Sequence, residues 1–379
     1  MSQLKNICII LIILLLSACS SIPKSNESKS TNTLIQKPEF NYKIKSLPQT
    51  IGIFFFQNDE KVLLPQVIQG FIANSFFYNS RISYRPEIIL TAITYRRCKI
   101  EENRADLNII FHVSNQPIDK SYKECIQKLP KAKTLFVSNN QDEIGFENTF
   151  IVSREEEKYR LIQHISESSS RVVVIDSKNN MDKNSIINLL KDNKKEIVIS
   201  KTYSNETTSQ TMFSKIMLVD RSKERIRKLS RRLSEKVSAT SRSREDIDTF
   251  FLSLDLKEAR NLKPAIDYIS EKNFDIFILN SWNTNYKYRP LEKDLVGSIH
   301  SDMPIMMPIM MPRYIAEVNR TREFAIGYDA FEIILLRYGS IDSKNFIYKG
   351  LTGKISLDQK KINRSSYLFK ITDKGIKVL

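Results

Sequence analysis

Short apolar runs rich in β-branched and aromatic residues alternate along this chain with amphipathic stretches, and that alternation limits the fold more than any other feature. Runs at 51–56, 135–137, 171–176, 196–200, 249–253 and 274–279 have the length and composition of strands. Between them, apolar residues recur at helical spacing over 67–78, 184–191, 211–236 and 259–269. Strands that are apolar on both faces belong to parallel sheets covered by helices, and repeated strand-helix-strand units commit the connections to right-handed crossovers. The expected class is therefore α/β. Some 330 residues follow position 46, too many for one small domain and suited to two lobes.

The first residues carry an address. One cation, Lys5, precedes an unbroken apolar run at 7–16, which ends in Ser17 and Ala18 before Cys19. These are the charged region, apolar region and small-residue site of an export signal, 1–18. The run is about half of the roughly 20 residues that a membrane-spanning helix needs. Leu16-Ser17-Ala18-Cys19 resembles the lipobox of bacterial lipoproteins, which implies cleavage before Cys19 and a lipid on its thiol. Ser20, rather than an aspartate, follows the cysteine, and this favours the outer membrane over retention in the inner one. Residues 19–46 are rich in Ser, Asn, Lys and Thr and read as a lipidated flexible tether. The 27 residues after Cys19 reach at most about 90 Å when extended and nearer 30 Å as a coil.

Lys and Arg exceed Asp and Glu by 16. Such a balance suits an acidic protein face, anionic lipid or a cell-wall polymer, while the export signal argues against nucleic acid. Beyond Cys8 in the signal and Cys19 at the anchor, Cys98 and Cys125 remain. Two thiols in an oxidising compartment form a disulfide or stay as free buried cysteines, and the sequence leaves both open.

Chemistry-bearing patterns are sparse. His112, His164 and His300 stand in unrelated contexts without metal-ligand spacing, and no phosphate-binding glycine loop or nucleophile elbow is present. Asp246 and Asp248 read as turn and capping residues at the mouth of a strand. No enzyme, cofactor or metal is expected. The cationic segment 222–242 reads as a solvated helix packed on its domain, with Ile226, Leu229 and Leu233 as one buried stripe, in preference to a lipid-binding device. The twice-written Pro-Ile-Met-Met within 304–311 reads as a duplication in a loop rather than a docking patch.

A further set of residues carries a resemblance. Phe213-Ser214-Lys215-Ile216 is followed by Asp220-Arg221-Ser222-Lys223-Glu224-Arg225-Ile226, then by Arg244-Glu245-Asp246-Ile247-Asp248, Phe251-Leu252, Glu258-Ala259-Arg260 and Lys263-Pro264. The series continues with Asp294-Leu295-Val296-Gly297, Asp302-Met303-Pro304, Gly327-Tyr328-Asp329-Ala330, Gly350-Leu351-Thr352-Gly353, Ser356-Leu357-Asp358, Ile362 and Arg364. In this order the elements resemble the LppC/LpoA family of penicillin-binding protein activators. The family's C-terminal domain is similar to type I periplasmic solute-binding proteins, two α/β lobes joined by crossing strands. That likeness implies one lobe from 47–152 plus 303–345 and another from 153–302 plus 346–379. It also implies that Gly327 to Ala330 opens a helix with close packing at the glycine, and that 350–358 forms a turn and strand. Long members carry an N-terminal helical-repeat domain, which nothing between Cys19 and Leu47 is expected to encode. Residues 80–130 are less family-like than the rest.

Two functions follow. The resemblance implies a periplasmic lipoprotein, anchored to the outer membrane, that binds and stimulates a class A penicillin-binding protein and takes no small-molecule ligand. The alternative is a solute receptor that closes on a ligand between its lobes. Receptors of this fold place small residues and glycine after the first strand, whereas Gln57-Asn58-Asp59-Glu60-Lys61 offers two carboxylates and no glycine.

Overall fold

The computed structural model describes residues 46–56, 64–93, 105–113, 117–139, 146, 148–165, 171–178, 183–204, 208–269, 272–279, 292–307, 320–339, 346–358 and 361–379. Residues 1–45, with the expected signal, Cys19 and all but the last residue of the expected tether, lie outside them, as do 57–61, Cys98 and the second Pro-Ile-Met-Met at 308–311.

The expected α/β class is observed, as two mixed sheets with helices. In the first, β1 (Thr50–Phe56) pairs in parallel with β2 (Glu87–Ile93) and β3 (Leu107–His112), and the parallel order runs on through β4 (Thr134–Ser138) and β5 (Asn148–Ile151). From Ile51 to Phe56 every residue of β1 is buried, as expected of a strand enclosed on both faces. Three further strands, β11 (Phe346–Lys349), β12 (Lys354–Leu357) and β13 (Ile362–Ser365), complete this sheet, with β13 parallel to β5. The expectation that 346–379 belongs wholly to the second lobe is therefore corrected for 346–365. The alternation of apolar residues marks these segments as strands but does not say which distant edge they complete.

In the second sheet, β6 (Arg171–Ser177) lies between β7 (Glu196–Tyr203) and β8 (Thr249–Ser253), followed by β9 (Asp275–Ile278) and β10 (Ile299–Asp302), all parallel. Antiparallel β14 (Tyr367–Thr372) and β15 (Gly375–Val378) finish it.

Helices α1 (Leu64–Ile82), α2 (Lys120–Ile126), α3 (Glu155–His164), α4 (Lys183–Asp192), α5 (Ser209–Ile216), α6 (Val219–Leu233), α7 (Leu256–Ile269) and α8 (Arg322–Gly339) accompany these strands. Helix α7 starts on a reciprocal cap: Glu258 N–H donates to Asp255 Oδ1 at 2.7 Å and Asp255 N–H donates to Glu258 Oε2 at 3.0 Å. Helices α1 and α8 meet backbone to backbone, because a β-carbon at Gly70 would overlap the Phe324 carbonyl and one at Gly327 would overlap that of Val67. Edge-to-face packing of Phe71 on Phe331 continues the contact.

Two helical expectations change. Helix α8 begins at Arg322, where Thr321 Oγ1 accepts from Phe324 N–H at 3.0 Å, so Gly327 to Ala330 lies inside the helix rather than at its start. The single helix expected over 211–236 is instead two, α5 and α6, separated at Leu218 by left-handed backbone (φ 56°), and the cationic segment 222–242 is helical only as far as Leu233. Its stripe is not buried: Leu229 is 48% exposed and Leu233 55%, whereas Val219 and Ser222 at the other end of α6 are buried. Periodicity makes a helix amphipathic without supplying the surface that covers it.

Cys125 is disulfide-bonded and buried in a cluster with Phe54, Phe136 and Phe146. Among the described residues no helix is long and apolar enough to cross a membrane.

Candidate functional site

The chain passes between the two sheets after β5, after β10 and at Ser366 between β13 and β14, and buried charge gathers where these crossings meet. Glu157, in the first turn of α3, is the centre. Its Oε1 accepts from Arg322 Nη2 and from Arg364 Nη2, each at 2.6 Å. Arg322 also donates to Asp302 Oδ1, which accepts the Met303 N–H at 2.7 Å as well. Arg364, its side chain 1% exposed, donates further to the Thr352 carbonyl at 2.8 Å and the Ser153 carbonyl at 3.4 Å. Ser301 and Ser366 hydroxyls bond at 2.9 Å across the adjoining crossing. One carboxylate thereby holds α3, α8 and β13 together, and through Arg322 it reaches β10.

Burial opposes ionisation of Glu157, but the Arg322 and Arg364 guanidiniums outweigh it and hold this carboxyl below its ordinary range. Asp302 moves the other way: burial raises it against the pull of Arg322. Its second oxygen, Oδ2, has no hydrogen-bond partner among the described residues. Buried ion pairs of this kind contribute little net stability over apolar packing, yet breaking one is expensive, so their clearest effect is to fix geometry.

A second clamp ties α8 to the turn after β11. Asp329 accepts from Leu351 N–H at 3.0 Å, Thr352 N–H at 2.7 Å and Thr352 Oγ1 at 2.6 Å. A side chain at Gly350 would collide with this carboxylate, which accounts for the glycine. Deeper along α8, Glu332 accepts from Tyr78 Oη at 2.5 Å and Asn74 Nδ2 at 3.2 Å.

Burial lifts Asp329 to about 6 against the three hydrogen bonds that its carboxylate accepts. A folded-state value above the unfolded one means that the native protein binds the proton more tightly, so this group's contribution to stability falls as pH rises from about 4 to about 6. Asp329→Asn removes the titration. Between pH 4 and pH 7 the unfolding free energy of the variant should gain on that of the parent by on the order of 3 kcal/mol. Urea titrations at several pH values would read this, and parallel pH profiles would refute it.

Most residues of the sequence motifs sit in structural roles. Arg244 pairs with Asp246 at 2.5 Å, Arg260 with Glu292 at 2.7 Å and Lys263 with Asp267 at 2.5 Å. Glu258 caps α7, Phe251, Leu252, Ala259 and Leu295 are core, and Ser222 Oγ accepts the Arg242 N–H at 2.9 Å. Asp248 Oδ2 accepts the Arg171 N–H at 3.2 Å, a long-range contact at the start of β6 rather than a turn. The histidines are dispersed. His112 lies in the first sheet beside Ser138, exposed His164 ends α3, and His300 is buried beside Ser298 with its pKa pushed down to about 3 by burial. Among the described residues no group of three or more His, Cys, Asp or Glu is placed to hold a metal. A cavity of about 430 Å³ lies at the amino end of β9, where Lys263, Lys272 and Lys370 share its wall with Asp267 and Asp275.

Glu157 and Arg322 escaped the sequence reading. The run Glu155-Glu156-Glu157 looks like ordinary helix-start acid, and only the buried cations opposite would single out the third.

Comparison with known proteins agrees with this architecture. The family model described as LppC putative lipoprotein matches residues 120–370. Full-length LpoA from Haemophilus influenzae is similar over 91% of this chain, at 14% identity and a TM-score of 0.51. This chain spans 60% of that protein. The H. influenzae LpoA C-domain, a regulator of PBP1A, is similar over 87% of this chain and 99% of its own length, at 15% identity and a TM-score of 0.51. A putative branched-chain amino acid ABC transporter from Chromobacterium violaceum is similar over 85% of this chain and 99% of its own, at 15% identity and a TM-score of 0.53. No curated protein sequence matches. At these identities the structural likenesses establish the two-lobed, type I periplasmic-binding-protein-like fold alone. The family match, which covers well over half the residues and every motif from Phe213 to Arg364, shows that this chain belongs to the LppC putative lipoprotein family.

Proposed function

We propose that this protein is a periplasmic lipoprotein, anchored to the outer membrane through Cys19, that binds a class A penicillin-binding protein and raises its peptidoglycan-synthesising activity. The observation that carries the proposal is the family match over 120–370, joined to an architecture that covers nearly all of the LpoA C-domain. The position of Cys19 after Leu16-Ser17-Ala18 supports the anchor. With Cys8 in the signal and Cys19 lipidated, Cys98 is the thiol left for Cys125. A protein without catalytic groups stimulates an enzyme only by binding its active conformation more tightly than its inactive one.

The test is a binding titration between the full-length chain, purified in detergent, and each class A penicillin-binding protein of the same organism. Saturable binding to at least one is expected. No binding to any, by a chain whose unfolding remains cooperative, would remove the proposal and turn attention to ligands of the inter-lobe cleft.

A further inference from the structure

Helix α6 departs from its surroundings. Its first turn is anchored: Val219 and Ser222 are buried, and Ser222 Oγ receives the returning backbone at Arg242. Beyond Ile226, which is partly buried, cover persists at Ser230, bonded to the returning backbone at Glu235 and Val237, but not along the rest of the helix. Arg225, Arg227, Lys228, Leu229, Arg231, Arg232 and Leu233 are all exposed. At 3.6 residues per turn, Ser222, Ile226, Leu229 and Leu233 lie on one line along the helix. One apolar stripe therefore begins inside the domain and ends in solvent.

The charges surround that stripe. Arg225 and Arg232 flank it on one side and Lys223 on the other, while Arg227, Lys228 and Arg231 lie on the far face. Asp220 and Glu224 are the acids of the helix, and Glu224 is taken up by Lys228 at 2.8 Å. A helix lying on a lipid surface uses the cations beside its apolar stripe, and its far face stays in water. Here the far face is cationic too, which a flat anionic surface cannot meet and a groove can. Arginine outnumbers lysine on α6, and its planar fork matches carboxylates in pairs.

From this geometry we infer that the exposed part of α6 is a docking element that seats Leu229 and Leu233 in an acid-lined groove of a protein partner. Under the function proposed above, on which this identification rests, the partner is the class A penicillin-binding protein. The leucines supply apolar burial, and the ring of cations supplies steering and salt-sensitive attraction.

The experiment compares the full-length chain with two variants, Arg225→Glu/Arg232→Glu and Leu229→Ser/Leu233→Ser. All four positions are solvent-exposed, so thermal unfolding should stay within a few degrees of the parent. Against the synthase that the parent binds, each variant should weaken affinity at least tenfold, and the charge variant should also flatten the dependence of affinity on salt. If the parent binds and both variants bind equally well, the assignment of α6 is overturned and the proposed function stands. If the parent binds no synthase, the function falls and this docking partner with it. Flotation of the Cys19→Ser chain with phosphatidylglycerol vesicles, lost in the charge variant while synthase binding persists, would reassign α6 to lipid. Self-association lost in the leucine variant, again with synthase binding intact, would reassign it to a second copy.

Discussion

Replacing Glu157 by alanine should lower the unfolding free energy by about 3–5 kcal/mol, because the change leaves buried guanidiniums without their shared carboxylate. Among the described residues, Arg364 would keep only carbonyl hydrogen-bond partners, and Arg322 only Asp302. The comparison that isolates this effect is Glu196→Ala. Glu196 pairs with Arg171 at 3.3 Å on the surface, with both side chains largely exposed, and its loss should cost at most about 1 kcal/mol. Removing both charges together, as Glu157→Leu with Arg364→Met, should recover part of the loss, since an apolar pair carries no unpaid desolvation. Chemical denaturation measures all three. A Glu157→Ala protein no less stable than Glu196→Ala would show that the cluster does not hold the crossings as described.

The second large effect lies where α1 crosses α8. Gly70→Ala or Gly327→Ala places a methyl group on a backbone carbonyl of the opposing helix, which cannot rotate away as a side chain would. The helices must separate, and each substitution should cost about 3 kcal/mol, at the upper end of ordinary overpacking. Both glycines act at one crossing, so a single displacement relieves both clashes. The double variant should therefore cost clearly less than the sum of the singles. Near-neutral single variants, or full additivity, would contradict this packing.

The reach of the sequence differs from element to element. Strands at 51–56, 171–176 and 249–253 are legible because enclosed strands need unbroken apolar runs, and the structure puts β1, β6 and β8 there. Gly327 is legible as a close approach, though not Asp329 as a clamp, since its partners lie 22 and 23 residues further along. The crossing cluster is illegible for a related reason: Glu157 finds Arg322 and Arg364 at separations of 165 and 207 residues, and a buried acid is written with the same letter as an exposed one. The stripe of α6 shows the converse. Helical spacing of Ile226, Leu229 and Leu233 is real, but whether a stripe is covered depends on where the helix leaves the domain.

Most of the family motifs specify scaffold. Asp302, Gly327, Asp329, Gly350, Thr352 and Arg364 build the crossings and clamps that hold the sheets, and none is free to read a partner. The 220–226 motif differs: Lys223 and Arg225 are exposed on α6, so that segment leaves surface a partner can read.

Stimulation of a peptidoglycan synthase, as proposed above, is read from the rate of peptide cross-linking by a class A penicillin-binding protein as the full-length chain is titrated in. The rate should rise and saturate over the same concentrations at which binding saturates. A rate unchanged at saturating occupancy would contradict the claim and leave a protein that binds the synthase without activating it.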